Sequence, residues 1–187
     1  MSLIDDLLED AREHMDKSVD ATRGKFGSVR TGRASPALLD RINVDYYGAQ
    51  TPLRQLATIN APEARLLTVQ PYDKSSIKAI ERAIMESDLG LTPNNDGQLI
   101  RLQIPELTEE RRRQLVKVVR GLTEEGKVAL RNIRRDVMHD LKELRDAGEA
   151  GADDEHRAEE ALQKLTDDKV KELDALLKSK EAEILEV

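Results

Sequence analysis

From Thr108 to about Ala147 the chain runs without a proline, and no other stretch constrains its fold as strongly. Such a run predicts one long helix, opened by Thr108 and closed before Gly148. Taking Lys117 as zero at about 100° per residue, Leu115, Val118, Val119, Leu122, Ala129, Ile133, Val137, Leu141 and Leu144 fall between about 100° and 240°. A single apolar stripe on a long helix cannot bury itself, so the segment needs partner helices.

The other side of this helix is basic. Arg113, Lys117, Arg120, Lys127, Arg131, Arg134, Arg135, Lys142 and Arg145 all fall in an arc roughly 100° wide. Only Glu124 intrudes, and Asp140 is an exception on the apolar side. From Arg113 to Arg145 the stripe is about 48 Å long at 1.5 Å per residue. The chain has a net charge of −7, which argues against a polyanionic partner until the distribution is considered. Residues 111–135 carry +7 and residues 146–187 carry −8, so the total hides a basic segment.

Two readings of the stripe stand side by side. One is a solvated face, neutralised in part by acids of a neighbouring helix. The other is a contact for an extended polyanion, which suits arginine because its planar fork binds phosphate oxygens in pairs. The near-absence of acid on the stripe favours the second, since faces built for solubility mix signs. Aromatics make up only 2% of the chain, and Phe26 lies on an apolar face. Contacts to phosphate and sugar are therefore expected rather than base stacking, with recognition of RNA shape rather than sequence.

Two further helices supply the partners. In residues 2–30, Leu8, Ala11, Met15, Val19, Thr22, Phe26 and Val29 recur at spacings of three and four. After Gly148 and Gly151, Asp153 or Asp154 is expected to cap a helix running nearly to Val187, with Leu162, Leu165, Leu173, Leu176 and Ile184 buried. Gly121 and Gly126 interrupt the middle helix, each costing about 1 kcal/mol relative to alanine. Gly126 falls in the apolar arc, where close packing explains it, while Gly121 has no explanation in the sequence.

Between the first two helices the pattern changes. Arg41–Tyr47 alternates, Gln55–Ile59 and Arg65–Gln70 read as strands separated by Asn60-Ala61-Pro62-Glu63, and Leu99–Ile104 reads as another. Asp73 or Ser75 can cap a helix to about Ser87, and Asn94-Asn95-Asp96-Gly97 reads as a turn. The expected fold class is α+β, mostly helical: an elongated three-helix bundle of residues 1–30 and 106–187, with a small β/α/β domain, 31–105, inserted. Chain crossings near Arg30–Gly32 and Ile104–Glu106 tether the insert.

Catalytic signatures are missing. His14, His139 and His156 lack metal-ligand spacing and read as surface residues, and there is no cysteine. No phosphate loop, nucleophile elbow or dinucleotide fingerprint occurs. Neither a metal nor a cofactor is expected, nor enzymatic activity. The N-terminus has no signal-peptide pattern and no apolar run spans a bilayer, so a cytoplasmic protein with no membrane contact is expected. A coiled-coil adaptor whose basic face meets an acidic protein is the competing class.

Several segments in order carry a resemblance. Val29-Arg30-Thr31-Gly32-Arg33-Ala34-Ser35-Pro36, Tyr46-Tyr47-Gly48, Thr51-Pro52-Leu53, Ser87-Asp88-Leu89-Gly90-Leu91, Leu107-Thr108-Glu109-Glu110-Arg111-Arg112 and Arg131-Asn132-Ile133-Arg134-Arg135-Asp136 resemble bacterial ribosome recycling factors. The resemblance implies an L-shaped, transfer-RNA-sized protein, expected as a monomer. With the GTPase elongation factor G, such a factor splits the post-termination ribosome, freeing messenger RNA and deacylated transfer RNA. It implies contact with large-subunit ribosomal RNA through Arg30, Arg131, Arg134 and Arg135. The stripe adds Lys117, Arg120 and Lys127 to the expected RNA-binding set. The resemblance also implies a hinge where the two crossings lie, at Arg30, Thr31, Gly32, Ile104, Pro105 and Glu106.

Overall fold

The computed structural model describes residues 2–186. The chain divides into two compact units, one made of residues up to Val29 together with those from Glu110, the other of Arg30–Glu109.

The first unit is helical. Helix α1 spans Leu3–Gly27 and opens on a capping box, in which Asp5 N–H donates to Ser2 Oγ and Ser2 N–H donates to Asp5 Oδ2, both at 3.1 Å. The Ser2 bonds hold the Asp5 carboxyl below its ordinary range. The second unit holds two shorter helices, α2 (Leu53–Leu56) and α3 (Ile77–Glu86), and the first continues with α4, Glu109–Asp146, and α5, Ala152–Leu185. Gly148 adopts φ 75° and ends α4, with its N–H on Arg145 O and the Glu149 N–H on Leu144 O, a Schellman closure.

One core joins the three helices: Ala11, Met15 and Val19 from α1, Leu130, Val137 and Leu141 from α4, and Leu162, Leu165 and Leu173 from α5. Each buried Leu or Val contributes about 1.5–3 kcal/mol. Gly126 faces Thr22 of α1 and Leu173 of α5. A Cβ there would lie 2.6 Å from Thr22 Oγ1 and 3.1 Å from Leu173 Cδ1, so glycine is what lets α1 and α5 meet α4 at this level. Gly121 has nothing within 4 Å of that position. Lys169 Nζ, 2.5 Å from Asp16 and 3.0 Å from Glu172, ties α5 to α1, and the Asp16 bond raises its pKa.

The start of α5 differs from expectation. Gly151 is the N-cap and makes no side-chain bond, while Asp153, Asp154 and Glu155 occupy the first turn. Glycine serves nearly as well there, and the acids favour the positive helix end.

In the second unit, β1 (Asn43–Tyr46) and β2 (Ala49–Pro52) form a hairpin, followed by the one-turn helix α2 (Leu53–Leu56). Strands β3 (Ala57–Glu63) and β4 (Leu66–Pro71), helix α3 (Ile77–Glu86), and strands β5 (Pro93–Asn95) and β6 (Ile100–Gln103) complete it. The main sheet is antiparallel, in the order β3-β4-β6-β5. Leu39, Val44, Leu53, Leu67, Val69, Ile80, Ile84, Ile100 and Leu102 fill its core.

Three expectations fail here. Gln55 and Leu56 are helical, because Pro52 halts the preceding strand and the three-residue spacing of Leu53 and Leu56 buries both. The Asn60–Glu63 segment is strand, not turn: β3 continues through it with a register shift between Asn60 and Glu63, and Pro62 is tolerated because β3 is an edge strand. Asn94 and Asn95 belong to the other edge strand, so the turn begins at Asp96. The Asp96 carboxylate accepts from Gln98 N–H and Leu99 N–H, both at 2.9 Å, and pairs with Arg101 at 2.7 Å. Those backbone bonds, Leu99 first, depress its pKa to about 2.

The boundary between units lies at Val29/Arg30 and Glu109/Glu110, whereas the sequence reading ended the insert at 31 and 105. The residues in between are held within the second unit. The Arg30 guanidinium donates to Leu89 O at 2.8 Å and Asp88 O at 3.3 Å. Arg65 pairs with Glu106 at 2.9 Å, and Ile104 N–H donates to Arg65 O at 2.8 Å.

Candidate nucleic-acid interface

The buried face of α4 is narrower than its apolar arc. Leu115, Val119, Thr123, Gly126, Leu130, Val137 and Leu141 are buried, while Val118 is 47% exposed. These buried residues cluster at about 160–240° on the helical wheel. A three-helix bundle covers only part of each helix, which leaves the 100° edge of the arc in solvent.

The basic arc splits into two rows. The row at about 260–300° meets α5, which runs antiparallel. Arg120 Nε lies 2.6 Å from Glu181 Oε1, Lys127 Nζ 2.7 Å from Asp174 Oδ1, and an Arg145 nitrogen 2.9 Å from Glu155 Oε2. Arg134 donates to Gln163 Oε1 at 2.9 Å, and Gln163 in turn donates to Asp167. This row is therefore compensated by α5. This is the pairing with acids of a neighbouring helix that the solvated-face reading anticipates.

The second row, at about 320–360°, points away from α5. It holds Arg113, Lys117, Arg131, Arg135 and Lys142. Arg131 bonds Glu124 on its own helix at 2.8 Å. Among the described residues Lys117, Arg135 and Lys142 have no ion-pair partner. Arg131 and Arg135 are one turn apart, while Arg134, at about 260°, lies at the α5 edge of the first row. An exposed, rigid line of cations with one internal acid has the layout of a phosphate-tracking surface.

The remaining expected residues fall elsewhere. Arg30 is exposed but braces the Asp88-Leu89 backbone in the second unit. Of the expected hinge, Ile104 is 6% exposed inside a core. Gly32 has φ 76°, and a Cβ on it would lie 3.1 Å from Leu107 Cγ, so the two crossings run side by side. His14, His139 and His156 are exposed, and each bonds a group on its own helix. No cluster of metal-ligating side chains occurs among the described residues, and no helix there is long and apolar enough to cross a membrane.

The sequence carries a signal for which α5 acids these are. Basic residues at 120 and 127 and acids at 181 and 174 are both spaced by seven, in opposite directions, as two antiparallel helices in register require.

The ribosome recycling factor family matches residues 22–185. The chain belongs to that family. The ribosome-recycling factor of Rubrobacter xylanophilus is 57% identical over 180 residues, which cover 96% of this chain and 97% of that one. The factor of Halalkalibacterium halodurans is also 57% identical, with 97% and 98% covered. Among solved structures, a solution structure of a ribosome recycling factor superposes with a TM-score of 0.81 at 40% identity, covering all of both chains. A second, with TM-score 0.67 and 47% identity over 99% of this chain and all of the other, comes from models for the T. thermophilus ribosome recycling factor and the E. coli elongation factor G bound to the E. coli post-termination complex. Membership explains a fold that carries a long charged helix and an inserted α+β unit.

Proposed function

We propose that this chain acts with elongation factor G and GTP to split the post-termination ribosome into subunits, freeing messenger RNA and deacylated transfer RNA. The three-helix unit binds large-subunit ribosomal RNA, and the inserted unit meets elongation factor G. The protein works in the cytoplasm as a monomer, without a metal or cofactor. It catalyses no reaction itself, and GTP hydrolysis belongs to the partner.

The observation that carries the binding step is the outer row of α4. Lys117, Arg131 and Arg135 contact phosphate, with Arg134 able to swing from Gln163 to join them. Arg120 and Lys127, already paired with α5, contribute less, and Arg30 contributes from its place beside Leu89. Flexing between the units occurs at Val29–Arg30 and just ahead of α4, which starts at Glu109, because Gly32, Ile104 and Glu106 are tied within the inserted unit. The bundle is then a stiff lever, anchored on RNA and driven by the GTPase through the inserted unit.

Subunit splitting followed by light scattering tests this reading. Dissociation is expected only when the chain, elongation factor G and GTP are all present. Splitting by the chain alone, or none in the complete mixture, would overturn it. A cross-link between the two units should leave ribosome binding intact and stop splitting; normal splitting by the locked protein would sink the lever.

A further inference from the structure

The chain has few aromatic rings, and it spends one of them in an unfavourable place. Tyr47 and Gly48 form the two-residue turn of the β1–β2 hairpin, closed by the Tyr46–Ala49 pair. Both turn residues have positive φ, 50° and 82°. That geometry suits Asn-Gly, and a bulky side chain at its first position costs free energy. Burial does not offset the cost, because Tyr47 is 81% exposed.

The ring is nevertheless held in place. It meets Tyr46 edge to face, with centroids 4.6 Å apart at 72°. Its hydroxyl lies 3.4 Å from Ser75 Oγ, and Tyr46 OH donates to Asp73 Oδ2 at 3.1 Å. Asp73 is fixed in turn by the Ser75 N–H and Oγ at 2.9 and 2.7 Å, and Asp45 accepts from Gly48 N–H at 3.0 Å. The bonds from Ser75 come first in keeping the Asp73 carboxyl below its ordinary range. A strained turn thus presents a rigid, open ring beside two carboxylates. Strain retained without burial points to a surface used in binding.

We propose that Tyr47, braced by Tyr46 and Ser75 and flanked by Asp45 and Asp73, is a docking point for an arginine-bearing segment of a basic protein. A guanidinium stacks on the ring face, and the carboxylates supply the opposite charge. The same carboxylates repel phosphate, which disfavours RNA at this point. The inference is independent of RNA binding by α4, since it concerns the other unit.

Ring-proton NMR of the full chain tests it, with acetyl-Arg-Gly-Arg-amide, acetyl-Lys-Gly-Lys-amide and tetrauridylate as probes. The arginine peptide should shift the Tyr47 ring signals and bind more tightly than the lysine peptide. Tyr47→Asn should lose about two- to fivefold in affinity for it, with a melting temperature at or above that of the parent, while Tyr47→Phe keeps binding. No ring shift with the arginine peptide, undiminished affinity in Tyr47→Asn, or a larger shift with tetrauridylate would overturn the proposal. The ring shift is read on the unmodified chain, so the test survives a variant that fails to fold.

Discussion

Arg120 and Arg135 lie on one helix, carry the same charge and are both exposed, yet they face different surroundings. Arg120 points across to Glu181 on α5. Arg135 lies farther round the wheel, where no acid is in reach among the described residues. A rotation of about 60° therefore separates a side chain paired within the bundle from one with no acid beside it among the described residues. Charge on a helix is informative only once the opposing helix is known.

Charge reversal gives the largest expected effect. Arg131→Glu with Arg135→Glu should weaken large-subunit binding at least about 100-fold, at ~1.5–3 kcal/mol for each of two lost charged hydrogen bonds, without lowering the melting temperature. Loss of folding instead would erase the distinction between the rows. Arg134→Glu should weaken binding more than Lys142→Glu, because Lys142 lies towards the far end of the stripe.

The two glycines of α4 repeat the contrast in packing. Gly126→Ala should destabilise by about 1–3 kcal/mol through overpacking against Thr22 and Leu173. Gly121→Ala should stabilise by about 1 kcal/mol, since the helix gains propensity in open space. Melting curves that move the same way for both would contradict the packing assigned to Gly126.

Smaller effects belong to the paired row. Arg120→Ala is expected to cost only about 0–1 kcal/mol of stability, as exposed ion pairs do. A double-mutant cycle with Glu181→Ala measures it, and a coupling well above that range would mean the row is structural in earnest. In the inserted unit the Asp96 carboxyl, held at about 2, lies below its unfolded value. Its contribution is therefore complete above about pH 4 and fades as pH falls towards 2. Asp96→Asn should flatten that part of the acid-unfolding profile; an unchanged profile would show that the turn bonds do not matter.

Much of the bundle was legible because helical periodicity is a local property. Ala11, Met15, Val19, Val137, Leu141, Leu162 and Leu173 could be placed on buried faces from spacing alone. The inserted unit was harder. β2 is mostly exposed and shows no alternation, so only its pairing with β1 reveals it. β5 is three residues of proline and asparagine, a composition that signals a turn, and it becomes strand by pairing with β6. For the interface, the arginine stripe was readable, but its division into two rows was not. That division depends on the α5 acids at 155, 174 and 181, which become partners only once the two helices lie in register.

The salt dependence of large-subunit binding tests the central claim most directly. Affinity should fall steeply with salt for the parent chain. Arg135→Ala should reduce the slope of log K against log salt by about 1, and Arg120→Ala should leave it unchanged. A parent chain whose binding ignores salt, or equal slope losses in the two variants, would contradict the account.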